Sequence, residues 1–187
     1  MFPRWLIVCL LWLSSLAMAA EPVRLAAATG YRLDLVPALQ MLDPEINTLD
    51  ATRAWAGLAA GQVTALPDPN PSFGFVHGAR WFHLRIDNLD HAAQRWQLLI
   101  EQPRLDEILI LPRDQKGAIR EYRLGDRLPF AERGLAHRYP NVELALPRGS
   151  QTDILIGVRS TSSVQLPLRL YTPTEVWAAS HDEQAGL

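Results

Sequence analysis

The sequence predicts an all-β domain, built as a sandwich or a barrel. Three observations favour this class. Apolar and polar residues alternate in several short runs, turn residues such as Gly, Pro, Asn and Asp separate these runs, and the runs recur roughly every 8–15 residues. Of the 187 residues, 48% are hydrophobic, which is enough for one domain with a sizeable core.

Arg80–Asn88 is the clearest predicted strand. Phe82, Leu84 and Ile86 should face one side of a sheet, because side chains alternate along a strand. The other predicted strands are Arg95–Glu101, Leu105–Leu111, Ala118–Leu124, Asn141–Leu146, Asp153–Arg159 and a last one whose inward face is Leu166, Leu168 and Leu170.

Two stretches depart from the strand pattern. Thr48–Ala60 is rich in alanine after a polar start, which predicts a short helix. Gly61–Pro71 contains three prolines and is predicted to be a loop. The chain beyond Pro173 is predicted to be helical or disordered, with residues 178–187 as a juxtamembrane linker or disordered tail.

Residues 1–20 have the layout of a secretory signal peptide. Arg4 precedes an apolar run, Trp5–Leu13, and the small residues Ala17 and Ala19 follow it. The apolar run is shorter than the roughly 20 residues that a membrane span needs. We therefore expect export to the periplasm, with one domain over residues 21–177.

Composition excludes several classes of function. The net charge is −2, which gives no electrostatic reason to expect nucleic acid or anionic lipid as a partner. Cys9 is the only cysteine and lies in the predicted signal peptide, so we expect neither a disulfide nor a thiolate site after cleavage. No arrangement of residues typical of catalysis is present, and we predict that the protein is not an enzyme.

The candidate binding residues lie on the predicted outer faces of the strands. An aromatic ring beside several arginines and carboxylates is a typical way to hold a sugar or a carboxylate. The residues with this chemistry are Trp81, His83, Arg85, Arg159, Arg169 and Tyr171. The alternative is that they are ordinary outer-face residues, with Trp81 filling a second layer of core.

Calcium is a weaker candidate ligand. Asp87, Asp90 and Asp126 carry the oxygen ligands that calcium prefers, but they lack the regular spacing of a calcium-binding loop. No other cofactor is expected.

The order of several segments resembles a known family. They are PSFGFVHGARWFHLRIDN, RWQLLIEQPRLDEILIL, YRLGDRLPFAERGLAHRYPNVELALP and TDILIGVRSTSSVQLPLRLYTPTE. Together with the upstream LDPEINTLDATRAW, they are similar to the second type of extracellular sensor domain of bacterial seven-transmembrane receptors with diverse intracellular signalling modules. Trp81 and Arg85 match the strand motif of that family, and the resemblance covers roughly residues 31–177.

This resemblance implies a fold and a function that composition alone does not. The fold would be a jelly-roll β-sandwich similar to carbohydrate-binding modules. The domain would sit in the periplasm before a bundle of seven membrane helices, attached through it to the inner membrane. The output would be a histidine kinase of a two-component system or a cyclase that makes cyclic di-GMP.

We therefore predict a periplasmic sensor domain that binds a small ligand such as a carbohydrate and relays occupancy to its membrane bundle. Two alternatives stay open. One is a secreted carbohydrate-binding module without signalling. The other is a protein-interaction domain that contacts a second copy of itself or another receptor's sensor domain.

Overall fold

The structure is a computed structural model that describes residues 21–66, 72–128 and 138–176. The predicted signal peptide at residues 1–20 and the predicted tail at residues 178–187 lie outside the described residues. Within these described ranges, no helix is long and apolar enough to cross a membrane.

Strands dominate the described part of the chain. The strands are β1 (Val23–Leu25), β2 (Arg32–Asp34), β3 (Gln40–Leu42), β4 (Val63–Ala65), β5 (Ser72–Gly74), β6 (Ala79–Asn88), β7 (Arg95–Ile100), β8 (Glu107–Asp114), β9 (Tyr122–Leu124), β10 (Asn141–Ala145), β11 (Ser150–Arg159), β12 (Val164–Gln165) and β13 (Leu168–Tyr171). One α-helix, α1, spans Ala51–Ala59, and a short 3-10 helix spans Val36–Ala38.

The strands form two main sheets, and the predicted β-sandwich is confirmed. Sheet A has the order β4-β3-β6-β11-β8-β9, with β1 pairing in parallel with β6. Sheet B has the order β10-β7-β13-β2, and β12 pairs with β5 in a small third sheet. From β6 to β11 the chain passes repeatedly between sheets A and B, as in jelly-roll sandwiches.

The main core lies between sheets A and B. On sheet A it is formed by the residues predicted to face inward on β6, namely Phe82, Leu84 and Ile86. Trp96 and Leu98 of β7 face them from sheet B. The alternation read from the sequence therefore identifies this core correctly.

A second core covers the outer face of sheet A. Helix α1 begins after Asp50, whose side chain accepts a hydrogen bond from the backbone N–H of Arg53 and so caps the helix. Trp81 is 1% exposed and packs in this second core, which includes Ala54 of the helix and Leu155 of β11. Sheet A is thus covered on both faces around Trp81, while Arg85 farther along β6 stays exposed.

The structure differs from the sequence prediction mainly in short strands. Strand β4 lies inside the stretch predicted to be a loop, because Val63–Ala65 pairs with β3 at the sheet edge. The predicted strand Ala118–Leu124 is shorter, with only Tyr122–Leu124 in β9 and an isolated bridge at Ile119. The helix predicted from Thr48 and the helical turn predicted after Pro173 are both present.

We expect Gly157→Ala to lower the free energy of unfolding by about 1–3 kcal/mol, the usual cost of overpacking a core. A Cβ at Gly157 would lie 2.8 Å from both Leu49 Cδ2 and Trp81 Cη2. Urea unfolding followed by tryptophan fluorescence measures the effect. Gly30→Ala is the matched control, because a Cβ there has no protein atom closer than 4.0 Å. Equal stability of the two variants would contradict the close packing at Gly157.

Candidate functional site

Two of the predicted binding residues, His83 and Arg85, contact the same carboxylate. Asp153 of β11 lies directly opposite Arg85 across the sheet. Its Oδ1 is 2.9 Å from His83 Nε2 and accepts a hydrogen bond from Arg85 Nε at 3.0 Å. Its Oδ2 accepts one from Arg85 Nη2 at 3.1 Å and lies 3.6 Å from Arg113 Nη2. We call these four residues the Asp153 cluster.

The Asp153 cluster joins helix α1 to sheet A. The Arg113 guanidinium lies over the Trp55 ring, 3.8 Å from its centroid, which is close enough for a cation–π contact. Burial disfavours the charged form of Asp153, but hydrogen bonds from His83 and Arg85 outweigh it and hold its pKa well below the usual range. Asp153 in turn raises the pKa of Arg85. The cluster is therefore a preformed, largely self-satisfied ionic network.

Trp81 is a buried residue of the second core and does not line a binding surface. Its ring is buried, and its Nε1–H donates a hydrogen bond to the backbone oxygen of Thr48 at 2.7 Å. The ring therefore has no open face on which a sugar would stack in this structure. This is the arrangement that the alternative interpretation of the sequence described.

Arg169 and Tyr171 lie on sheet B. Arg169 Nη1 is 2.5 Å from Asp34 Oδ2, and its Nε is 3.5 Å from Glu101 Oε2. The Tyr171 hydroxyl donates a hydrogen bond to Glu101 Oε1 at 3.0 Å. Burial and the adjacent Glu101 carboxylate raise the pKa of Tyr171 to about 12. The hydroxyl is therefore uncharged and tied to its own sheet.

The six predicted residues do not form one site, because they belong to two sheets whose outer faces point in opposite directions. Four of them lie on sheet A and two on sheet B. Arg159 is on the same strand as Asp153 but six residues away, which is about 20 Å along an extended chain. Each location is thus a separate surface.

Arg159 lines a cleft of about 410 Å³ at one end of sheet A. Its Nη2 donates a hydrogen bond to Glu107 Oε2 at 2.5 Å, and Arg127 Nη1 lies 3.7 Å from Glu107 Oε1. The chain before β6 also lines this cleft, and Phe75 there is 82% exposed. We call this cavity the Arg159 cleft; its lining residues are Phe75, Val76, His77, Gly78, Asp106, Glu107, Arg127, Arg159, Ser160 and Thr161.

Asp106 fixes the backbone at the base of the Arg159 cleft. Burial raises its pKa, but hydrogen bonds from the Thr161 N–H and hydroxyl, with help from Arg127, outweigh this and leave the pKa lowered. Gly125 packs against the same residue with φ of +129°, and a Cβ there would overlap the Asp106 carbonyl oxygen. The cleft is therefore built on a rigid support.

Several residues of these surfaces were missed by sequence reasoning. Phe75 follows Phe73 at an interval of two, and only Phe73 packs inward, with its ring centroid 4.8 Å from that of Phe82. The spacing gave no signal that Phe75 is exposed, because residues two apart on a strand lie on the same face. The sequence around Asp153 and Glu107 does not indicate their ion pairs, because these depend on which strands become neighbours in the sheet.

The three calcium candidates do not come together. Asp87 and Asp126 lie at opposite ends of sheet A, since Asp87 pairs with Gln151 at the start of β11 and Asp126 follows β9 near Leu105. Asp90 Oδ1 accepts a hydrogen bond from the backbone N–H of Ala27. Within residues 21–66, 72–128 and 138–176, no group of three or more His, Cys, Asp or Glu side chains is arranged to hold a metal ion.

Comparison with known families gives one decisive match. The family model described as 7TMR-DISM extracellular 2 matches residues 37–172, which is more than half of the chain. The chain belongs to this family. It is therefore an extracellular sensor-type domain of seven-transmembrane receptors with diverse intracellular modules, as the resemblance read from the sequence implied. Members of the 7TMR-DISM extracellular 2 family are receptor domains rather than catalytic ones.

The other comparisons add little to the 7TMR-DISM assignment. A search of curated proteins gave no match. Among solved structures, the chain is similar to the enzymatically active domain of the tailspike protein 4 of bacteriophage CBA120, with 17% identity and a TM-score of 0.27. That alignment covers 54% of this chain and 14% of the tailspike chain. A likeness this weak carries no argument about function.

We expect Asp153→Asn to lower the free energy of unfolding by about 1–3 kcal/mol near neutral pH, because His83 and Arg85 lose a charged acceptor. The pKa of Asp153 is lower in the folded protein than its unfolded value of about 3.9. Its contribution is therefore fully present above that value and is lost as the pH falls towards the folded pKa. Urea unfolding from about pH 7 to about pH 3 should show the stability difference between the two proteins narrowing as the pH falls.

Glu143→Gln is the matched control for this experiment. Glu143 pairs with Arg95 at 3.4 Å, and both side chains are largely exposed, so its removal should change stability by less than about 1 kcal/mol. A difference between wild type and Asp153→Asn that stays constant across the pH range would show that the carboxylate charge is not the cause.

Proposed function

We propose that this extracellular domain binds a carbohydrate in the Arg159 cleft and relays its occupancy to a membrane bundle. The observation that carries the proposal is that the exposed Phe75 lines a cavity of ligand size together with two arginines and two carboxylates. Phe75 is 82% exposed and lines the cleft, so its ring is available to contact a ligand held there.

The charge balance of the Arg159 cleft favours a neutral, hydroxyl-rich ligand. Arg127 and Arg159 bring two positive charges, and Asp106 and Glu107 bring two negative charges. The guanidinium groups have N–H donors beyond those used for the carboxylates, and the carboxylates have further lone pairs. Sugar hydroxyls donate and accept hydrogen bonds, so they match both sets, while the Phe75 ring offers an apolar face.

The signalling part of the proposal rests on the family. On this proposal, the domain works in the periplasm and its ligand acts on the membrane bundle of the receptor. We propose an output by a histidine kinase or a diguanylate cyclase. A ligand shifts such a receptor only if it binds the signalling and resting states with different affinity. Arg159 and Glu107 belong to two neighbouring strands, β11 and β8, so a ligand held by both can favour one arrangement of this sheet end.

We expect Phe75→Ala to weaken sugar binding about tenfold, because stacking on an aromatic ring contributes about 0.5–1.5 kcal/mol beyond area burial. Stability should not change, since the Phe75 side chain is in solvent. The measurement is a thermal-shift screen of monosaccharides and oligosaccharides, followed by calorimetric titration of the best hit with wild type and variant.

Tyr31→Ala is the control, because Tyr31 is also an exposed aromatic, at 58%, and does not line the cleft. It should bind the sugar as wild type does. Equal loss in both variants, or no loss in Phe75→Ala, would place the sugar elsewhere. A screen without any sugar hit would instead favour a protein-interaction domain, to be tested by capture of a partner sensor domain.

A further inference from the structure

A second cavity lies between the two sheets, at the opposite end of sheet A from the Arg159 cleft. It has a volume of about 350 Å³, within the range of small-molecule pockets, roughly 300–1,000 Å³. Strands β8, β9 and β11 of sheet A form one wall, and β10 of sheet B forms the other. We call it the inter-sheet cleft.

The inter-sheet cleft exists because the core is not filled at this end of the sandwich. Along the inward face of β11, the apolar residues Ile156 and Ile154 are followed by Thr152. Along the inward face of β8, Ile110 is followed by Pro112 and then Asp114. These smaller or polar side chains leave space between the sheets, which close packing normally removes.

The floor of this cleft is apolar. Leu144 and Leu146 are each 1% exposed and line it from sheet B, and Tyr122 lines it from sheet A. Thr152 is also buried there, and its hydroxyl makes no hydrogen bond to another residue in the described part of the chain. A single hydroxyl on an apolar floor suits a ligand body that is mostly hydrocarbon.

The rim of the inter-sheet cleft is cationic. Lys116 and Arg120 are exposed, line the opening, and form no ion pair with any residue that the structure describes. One carboxylate also lines the cleft, that of Asp114, but its Oδ1 accepts the backbone N–H groups of Lys116 and Ala118 at 2.9 Å each. The rim therefore has one net positive charge, with its negative group engaged in its own turn.

We propose that the inter-sheet cleft binds a small amphipathic carboxylic acid, with its apolar body on the Leu144 and Leu146 floor and its carboxylate at Lys116 and Arg120. Unlike the charge-balanced Arg159 cleft, this cavity combines an apolar floor with two cations that form no ion pair within the described ranges. Burial of the hydrocarbon supplies the affinity, and the cations select an acid over a neutral molecule of the same shape. This site does not depend on the proposed carbohydrate site.

The test uses octanoate as the probe and octanol as its uncharged match, in calorimetric titrations of the purified protein. Octanoate should bind saturably with one site and more tightly than octanol. The double variant Lys116→Gln/Arg120→Gln should weaken octanoate binding by about tenfold, since each exposed pair contributes up to about 1 kcal/mol. Ala118→Trp, at an exposed lining position, should abolish binding by filling the cleft.

Two controls keep the result specific. Arg148→Gln removes an exposed cation that does not line the cleft, and it should leave octanoate binding unchanged. Phe75→Ala should also leave it unchanged, which separates this site from the Arg159 cleft. The proposal is overturned by an absence of saturable octanoate binding, by equal affinity for octanol, or by full binding in both Lys116→Gln/Arg120→Gln and Ala118→Trp.

Discussion

Burial of sheet A on both faces is the constraint on which the rest of the structure depends. Its inner face packs against sheet B, and its outer face packs against helix α1 around Trp81. Where both sides of the sheet are covered, no free face is left for a ligand, and the polar side chains nearby pair with one another. The Asp153 cluster is an example, because His83 and Arg85 both contact the Asp153 carboxylate, and the other ring nitrogen of His83 lies 3.1 Å from Gln40 Oε1.

This constraint places the open surfaces at the ends of the sandwich. At one end, Arg159 and Glu107 lie beyond the second core and line a cleft together with Phe75. At the other end, the inward positions of β8 and β11 become small or polar, and a cavity opens between the sheets. The two cavities differ in charge balance and floor, so they suit different chemistry. Binding residues on strand ends and turns, held by a rigid sheet, are a common arrangement in proteins.

Much of the fold could be predicted from the sequence, because the alternation of apolar and polar residues along a strand is a local property. The inward set on Arg80–Asn88 and the helix at Ala51–Ala59 were both predictable. The candidate site was less predictable from the sequence, because it depends on contacts between residues far apart in the chain. Nothing near Trp81 indicates that a helix covers it, and nothing near Arg169 indicates that its strand joins sheet B. Of the residues predicted to bind, Arg159 alone lines one of the two clefts, and Phe75 was passed over because a single exposed ring has no periodicity.

The most direct test of this account is to map sugar binding residue by residue. Backbone NMR shifts of the protein would be followed while the best sugar from the thermal-shift screen is titrated. We predict that the perturbed amides cluster at Phe75, His77, Arg159 and Thr161, and that those of Trp81, His83 and Arg85 do not move. Perturbations centred on Trp81 and Arg85 would contradict the account, because they would place the sugar at the Asp153 cluster and not in the Arg159 cleft.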